Sequence, residues 1–328
     1  MKGFLLLIRP INLLIIALTM YSVRLFILTY EKIYCVQFLG QNGEELNFFL
    51  LVLSTMMIAA GGNVINDYFD VRADRINKPK RVIIGKYINS RWAILIHSGL
   101  NFMAFAIAVY LSVRYETFWY VFIHLLTMNA LWLYSLFLKK KPIIGNFLIA
   151  GLTALVPILC GVHFYVQGSV DIIEPEIYST AFEYWLISLL NHGYFIWLLA
   201  FFAFVNNFAR EIIKDVEDIK GDQMISAKTL PIQYGVKVSK IWIVALLLLP
   251  LVLFTVLFLF HQPKNDFGLV DQILIFMPVI ISLLMDFVAI GLTIRATTKT
   301  GFLKADQWVK YAMVSGVITS LYWYLLWM

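Results

Sequence analysis

Long apolar runs alternate with short charged stretches along the whole chain. Nine apolar segments stand out, roughly at 4–29, 47–66, 92–113, 117–137, 143–165, 184–207, 238–261, 270–294 and 307–328. Each offers the ~20 residues that a tilted helix needs to cross a hydrocarbon core. The pattern predicts an all-α, polytopic membrane protein with nine transmembrane helices. Arg9-Pro10 interrupts the first run and no small-residue cleavage site follows it, so it reads as a mature span rather than a signal peptide.

Composition agrees with that reading. Of 328 residues, 61% are hydrophobic and 14% charged, against about 45–50% and ~25% in soluble domains. A soluble globular protein is excluded, and little chain is left for a domain outside the bilayer. The net charge of +6 does not point to nucleic acid, because the basic residues sit between apolar runs rather than in one stripe. With a cytoplasmic N-terminus, the cytoplasmic loops hold all of the 26 Lys and Arg except Arg24, Lys32, Arg114 and Lys264. Loops on the other side carry Asp171, Glu174 and Glu176. The positive-inside rule therefore predicts a multi-pass protein of the cell membrane with its N-terminus in the cytoplasm and its C-terminus opposite. Cys35 and Cys160 lack metal-type spacing and read as packing residues.

The informative stretches are the connections after the second and sixth spans, at 63–81 and 207–231. The first contains Asn63, Asn66, Asp67, Asp70, Arg72, Asp74, Arg75, Lys78 and Arg81, and the second Arg210, Lys214, Asp215, Asp218 and Asp222. Asp67, Asp70 and Asp74 are matched by Asp215, Asp218 and Asp222, each pair offset by 148 residues. Positions i, i+3 and i+7 lie within about 60° on a helix, so each triplet forms one carboxylate stripe. Charged membrane-surface loops ordinarily carry mixed charges for solubility. Two triplets of identical spacing, each flush with the end of a span, argue for a shared task.

Six facing carboxylates repel one another strongly and need cations to neutralise them. Magnesium suits them, since it takes hard oxygen ligands and is usually held by one or two carboxylates together with phosphate oxygens. All six aspartates are candidate metal ligands, and Arg72, Arg75, Lys78, Arg81, Arg210 and Lys214 are candidate phosphate grips. A metal-bridged allylic diphosphate fits this arrangement. It ionises when its leaving group is stabilised, and the resulting carbocation must be kept from water. Apolar helices around a central, lipid-accessible cavity would shelter it, beneath a cytoplasmic cap formed by the two acidic connections. Rings such as Tyr68, Trp132, Tyr134 and Phe208 could face the cation, although packing is the ordinary role of an aromatic at any one of these positions.

These features resemble the UbiA-type intramembrane prenyltransferase superfamily over nearly the whole chain, 1–328, read as a single domain. The motifs are Asn66-Asp67-x-x-Asp70-x-x-x-Asp74 after the second span and Asp215-x-x-Asp218-x-x-x-Asp222 after the sixth. Arg9-Pro10 with Asn12, Tyr134-Ser135, Lys139 to Lys141 and Gly145-Asn146 add to the likeness. Within the superfamily, Asn-Asp-Tyr-Phe-Asp, Asp-Arg-Ile-Asn-Lys-Pro and the run from Arg210 to Asp222 look like the digeranylgeranylglyceryl phosphate synthase branch. That branch moves a geranylgeranyl group onto geranylgeranylglyceryl phosphate to form an ether lipid. One departure is Arg81-Val82-Ile83, where the branch commonly has Arg-Pro-Ile.

The resemblance implies Asn66, Asp70 and Asp74 as one magnesium and diphosphate cluster and Asp218 with Asp222 as the other, with Asp67 and Asp215 in support. It also implies a basic residue among Lys139 to Lys141, with Lys139 and Lys141 as candidates, over the diphosphate. Tyr134 would sit at the cavity mouth, and Asn146 joins the substrate-binding set. An aromatic acceptor, as in quinone or haem side-chain synthesis, keeps the same chemistry and stays open. A cation-coupled transporter would place its acids near the midplane rather than at helix ends, and the Asp-Gly start of phosphoalcohol transferases is absent around both clusters. Asp286, inside the eighth span, is a further candidate because ionisable groups are costly there. Arg24 reads as snorkelling, and His97, His163 and His192 read as structural.

Overall fold

The apolar runs fold as helices, and no strand forms among the described residues apart from an isolated bridge between Ile84 and Ile88. A computed structural model describes residues 2–34, 44–79, 82–166, 192–260 and 269–326. Ten α-helices follow in chain order: α1 (Lys2–Ile8), α2 (Pro10–Tyr34), α3 (Glu44–Asn77), α4 (Ser90–Arg114), α5 (Trp119–Leu136), α6 (Ile144–Val166), α7 (His192–Met224), α8 (Leu230–Phe260), α9 (Leu269–Arg295) and α10 (Lys299–Leu326). Eight of them, α2 to α9, are long and apolar enough to cross a membrane. The ninth expected span falls in α10, which has 28 residues but a more polar first half.

The first run is split in two. Arg9 takes a positive φ of 54°, which ends α1, and Pro10 opens α2 at the position where its missing N–H costs nothing. Helix α3 has 34 residues and α7 has 33, or about 50 Å each at 1.5 Å per residue. That exceeds the ~30 Å hydrocarbon thickness, so both helices run on past their apolar spans and carry the acidic stretches as continuous helix rather than as loop.

The chain divides into two compact units. One comprises Met1–Met20, Gly40–Leu152 and Asp215–Ser239, and the other Tyr21–Leu39, Thr153–Lys214 and Lys240–Met328. In the first, α3 and α4 pack together, and α5 packs on both. Buried Leu7, Val64, Ile84 and Ala93 form a core cluster that joins α1, α3, the 82–89 turn and α4, with Tyr68, Val71 and Ile88 around it. Asn63 Nδ2 donates to the Ile8 carbonyl at 3.1 Å, which ties the end of α1 to α3 just before the acidic motif.

In the second unit α9 and α10 pair along their lengths. Pro278 inside α9 has no N–H to offer the Leu274 carbonyl four residues back. The Tyr322 hydroxyl of α10 donates to that carbonyl at 2.8 Å, and Ser315 Oγ donates to the Pro278 carbonyl at 3.2 Å. A neighbouring helix thus satisfies the backbone that proline frees, as the bilayer requires. Ser282 Oγ adds a bond to the Ala312 carbonyl at 2.8 Å.

Candidate functional site

Both Asp triplets belong to the first unit, because α7 enters it at Asp215. The C-terminal turn of α3 meets the last turns of α7 through Asn77. Its Nδ2 donates to the Asp218 carbonyl at 2.9 Å, and its Oδ1 accepts the Gly221 N–H at 2.8 Å. Lys78, the next residue, donates from Nζ to Asp218 Oδ2 at 2.5 Å. Burial alone would push the Lys78 ammonium down, but Asp218, Asp74 and Glu217 around it outweigh burial and hold it above the ordinary lysine range. With the two helix ends locked in this way, Asp74 lies within electrostatic reach of Asp218, and Asp222 within reach of Asp70.

Gly221 is required at this contact. A Cβ there would lie 2.3 Å from Asn77 Nδ2 and 2.8 Å from the Ala73 carbonyl oxygen, distances that no packed carbon adopts. The word Ile-Lys-Gly-Asp in the second motif therefore records a backbone approach as well as an acid.

A third element brings cationic and amide groups. A 3-10 turn at Leu138–Lys140 follows α5, and Lys139 on it donates to Asp70 Oδ1, with its side chain largely buried. The turn rests on the start of α6 at Gly145, where a Cβ would come within 2.7 Å of the Leu138 carbonyl oxygen. It is also tied by the Lys228 N–H to the Lys140 carbonyl at 2.8 Å. One residue past Gly145, buried Asn146 donates from Nδ2 to Asp215 Oδ2 at 2.7 Å. On the opposite flank Arg9, at the break between α1 and α2, donates to Asp67 Oδ1.

The first aspartate of each triplet is thus held by a polar partner, Asp67 by Arg9 and Asp215 by Asn146. The central Asp70 and Asp218 meet the lysines, and Asp74 and Asp222 complete the facing stripes. Among the lysines of the 139–141 run, Lys139 enters the acidic cluster, whereas Lys141 is exposed. Arg72 is exposed on α3, and Tyr134 is half-buried on the last turn of α5. Arg81 lies outside the described residues, as does Cys35.

Among the described residues no three His, Cys, Asp or Glu side chains surround one point as a ready-made metal cage. Magnesium does not need one, since it takes one or two carboxylates with phosphate oxygens and waters. The donor set present is all hard oxygen. Asn66 Oδ1, one helical turn before Asp70, is buried without a hydrogen-bond partner among the described residues, as an oxygen reserved for a cation would be. The residues therefore fit a magnesium-bound anion.

Arg210 and Lys214 occupy a different network, in the second unit. Arg210 Nε lies 2.9 Å from Asp306 Oδ1 in an ion pair, Lys310 Nζ contacts Asp306 Oδ2 at 2.7 Å, and Lys214 pairs with Glu211. Burial alone would raise the Asp306 carboxyl, but Arg210 and Lys310 outweigh it and hold it below the usual carboxylate range. Asp286 is buried in α9 beside Asn206. His97 bonds the Gly61 carbonyl at 2.9 Å and His163 is fully buried; the side chain of His192 lies outside the described residues.

Sequence reasoning gave no role to Arg9, Asn77 or Asp306. Arg9 and Asn77 lay inside the motif words, but hydrogen bonding across 58 and 141 residues leaves no mark in a single chain. Asp306, opening the last apolar run, had only its position to signal it.

The chain is similar to curated proteins named digeranylgeranylglyceryl phosphate synthase. One from Methanobrevibacter smithii is 33% identical over 217 residues, 66% of this chain and 69% of that protein. One from Saccharolobus solfataricus is 32% identical over 272 residues, 83% of each. The fold is similar to a solved structure of a digeranylgeranylglyceryl phosphate synthase, with TM-score 0.57 and 23% identity over 98% of this chain and 96% of that one. It is also similar to a UbiA homologue from Archaeoglobus fulgidus bound to DMAPP and Mg2+, with TM-score 0.54 and 17% identity over 97% and 99%. The profile of the UbiA prenyltransferase family matches residues 33–283, a stretch that includes both acidic motifs and the Lys139 turn between them, and the chain therefore belongs to that family of multi-pass membrane prenyltransferases.

Proposed function

We propose that the chain moves a geranylgeranyl group from its diphosphate to the free hydroxyl of geranylgeranylglyceryl phosphate, releasing diphosphate and an ether lipid, with magnesium as its cofactor. The observation that carries this reading is the meeting of the two acidic helix ends through Asn77 and Lys78. It gathers Asp70, Asp74, Asp218 and Asp222 into one anionic cluster with Lys78 and Lys139 inside it. The relatives named digeranylgeranylglyceryl phosphate synthase, a name for the product of this transfer, support the substrate class.

In this reading Asn66, Asp70 and Asp74 serve one half of the head-group site and Asp218 and Asp222 the other. Magnesium, when bound, neutralises the carboxylates and draws charge from the diphosphate oxygens. Asp67 and Asp215 orient the stripes from their bonds to Arg9 and Asn146. Lys139 and Lys78 place ammonium donors where the leaving diphosphate gains charge, which counts most in a site screened from water. The C1–O bond of the allylic diphosphate breaks with its electron pair leaving on diphosphate. The acceptor hydroxyl oxygen then bonds C1 and gives up its proton to the departed diphosphate, while the apolar helix walls keep competing water away.

Residues 1–328 act as one domain in this scheme, with 63–81 and 207–231 as paired halves of the head-group site. The distribution of Lys and Arg supports a cytoplasmic N-terminus in the cell membrane.

The test is turnover of geranylgeranyl diphosphate by purified protein with magnesium, offered geranylgeranylglyceryl phosphate beside aromatic acceptors and read by mass spectrometry. An ether-linked product carrying two geranylgeranyl chains is expected. Prenylated rings with no ether product would sink the acceptor assignment.

A further inference from the structure

We propose that Asn77 is a positioning residue that sets the register of the two acidic helix ends, and that Gly221 is the space it needs. The inference rests on the reading that both ends hold one metal-bound diphosphate.

Asn77 makes two bonds to a single turn of α7. Its amide donates to the Asp218 carbonyl and accepts from the Gly221 N–H, at 2.9 and 2.8 Å. An amide carries a donor and an acceptor on one rigid plane, so these bonds together fix both the axial position and the rotation of α7 against α3. An aspartate could only accept, and would add charge beside Asp218. A glutamine would overreach by a methylene. The partner position is as restricted, because a Cβ on Gly221 would lie 2.3 Å from Asn77 Nδ2, 2.6 Å from its Cγ and 2.8 Å from the Ala73 carbonyl oxygen.

The joint lies inside the acidic stretches. Asp218 offers its carbonyl to Asn77 and its carboxylate to Lys78, and Asp222 follows Gly221 directly. On the α3 side, Asp74 is less than one turn before Asn77. A slip of one helical residue would move Asp218 and Asp222 by 1.5 Å and turn them by 100°, enough to take the two stripes out of opposition. Asn77 touches no reacting atom; it acts through the carboxylates that it aligns.

The experiment is calorimetric binding of magnesium with inorganic diphosphate to purified full-length protein, alongside thermal unfolding and hydrogen exchange at the Gly221 amide. Asn77→Ala should weaken diphosphate binding at least about tenfold, expose the Gly221 amide to exchange and shift the unfolding temperature by only a few degrees. Gly221→Ala should weaken binding similarly, and add less to the loss when Asn77→Ala is also present, because the smaller side chain removes the two shortest contacts and leaves the one with the Ala73 carbonyl oxygen. Should Asn77→Ala not fold, Asn77→Asp keeps the Gly221 bond and is expected to lie between wild type and Gly221→Ala in affinity. Wild-type affinity in these variants would overturn the role of Asn77 while leaving the site intact. A wild-type protein that binds no magnesium diphosphate would overturn both.

Discussion

Lys139 sets its ammonium on the Asp70 carboxylate, 69 residues earlier in the chain, and its neighbour Lys141 does not share that position. A 3-10 turn seated on Gly145 makes the selection, since it turns one lysine into the acidic cluster and leaves the next ones outward. Lys139→Ala should lower kcat about 10²–10³-fold, the loss typical of removing one preorganised donor to a developing anion. Lys141→Ala should stay within about twofold of wild type, as expected of an exposed charge. Steady-state kinetics of the two variants side by side checks the assignment, and equal losses would refute it.

Asp222 should trade stability for binding. Asp222 lies within reach of the like charges of Asp218 and Asp70, and like charges destabilise a metal-free cluster. Asp222→Asn is therefore expected to raise the unfolding temperature in chelator by a few degrees while abolishing measurable turnover. Chelation should lower the unfolding temperature of the wild type, where magnesium binds only the native state, and leave that of Asp222→Asn nearly unchanged. Differential scanning with and without chelator separates the two behaviours.

Much of this was legible in the sequence. The 148-residue offset between the triplets, the apolar runs and the position of each triplet at a span end suffice for the fold class and for the acids that face one another. Two things were not legible. The spacing puts each triplet on one helix face, but it does not show that α3 and α7 carry it as an unbroken continuation of the span. Arg210 and Lys214, grouped with the phosphate grips by their place beside the second Asp triplet, pair in the second unit with Glu211 and Asp306. Asp306 is 92 residues further along the chain than Lys214, and periodicity within one segment carries no information about such a partner. Asn77 illustrates the same limit from the other side, since its type marks it as polar and only the facing backbone shows why the amide is needed.

The Asp306 network gives a pH signature. Arg210 and Lys310 hold Asp306 below the ordinary carboxylate range despite its burial. A carboxylate depressed on folding contributes stability that is fully present above its unfolded value of about 4 and is lost as pH falls through the folded one. Asp306→Asn should cost about 2 kcal/mol at pH 7, less than a fully buried pair because Lys310 is partly exposed. The stability gap between wild type and Asp306→Asn should hold constant from pH 7 to about 5 and close below about pH 4. A gap that widened with acid would show that Asp306 is not held as the anion.

Asn146 and Asp215 allow a charge exchange that isolates one hydrogen bond. Asn146 is buried on α6 and donates to Asp215 Oδ2 at 2.7 Å. Removing the amide by Asn146→Ala takes away a bond to a charged acceptor, worth roughly 1.5–3 kcal/mol. Asn146→Asp should do more harm than Asn146→Ala, because it sets two carboxylates at hydrogen-bonding distance in a half-buried place where neither is easily solvated. The double variant Asn146→Asp, Asp215→Asn restores one amide and one carboxylate with the positions exchanged. If Asp215 serves by being held, as its bond to Asn146 suggests, the exchange should recover most of the stability and a substantial part of the activity lost in Asn146→Asp. If Asp215 itself must bind metal, stability returns and activity does not, because its replacement carboxylate now projects from α6 instead of from the stripe on α7. Unfolding temperatures and initial rates of the three variants decide between these outcomes.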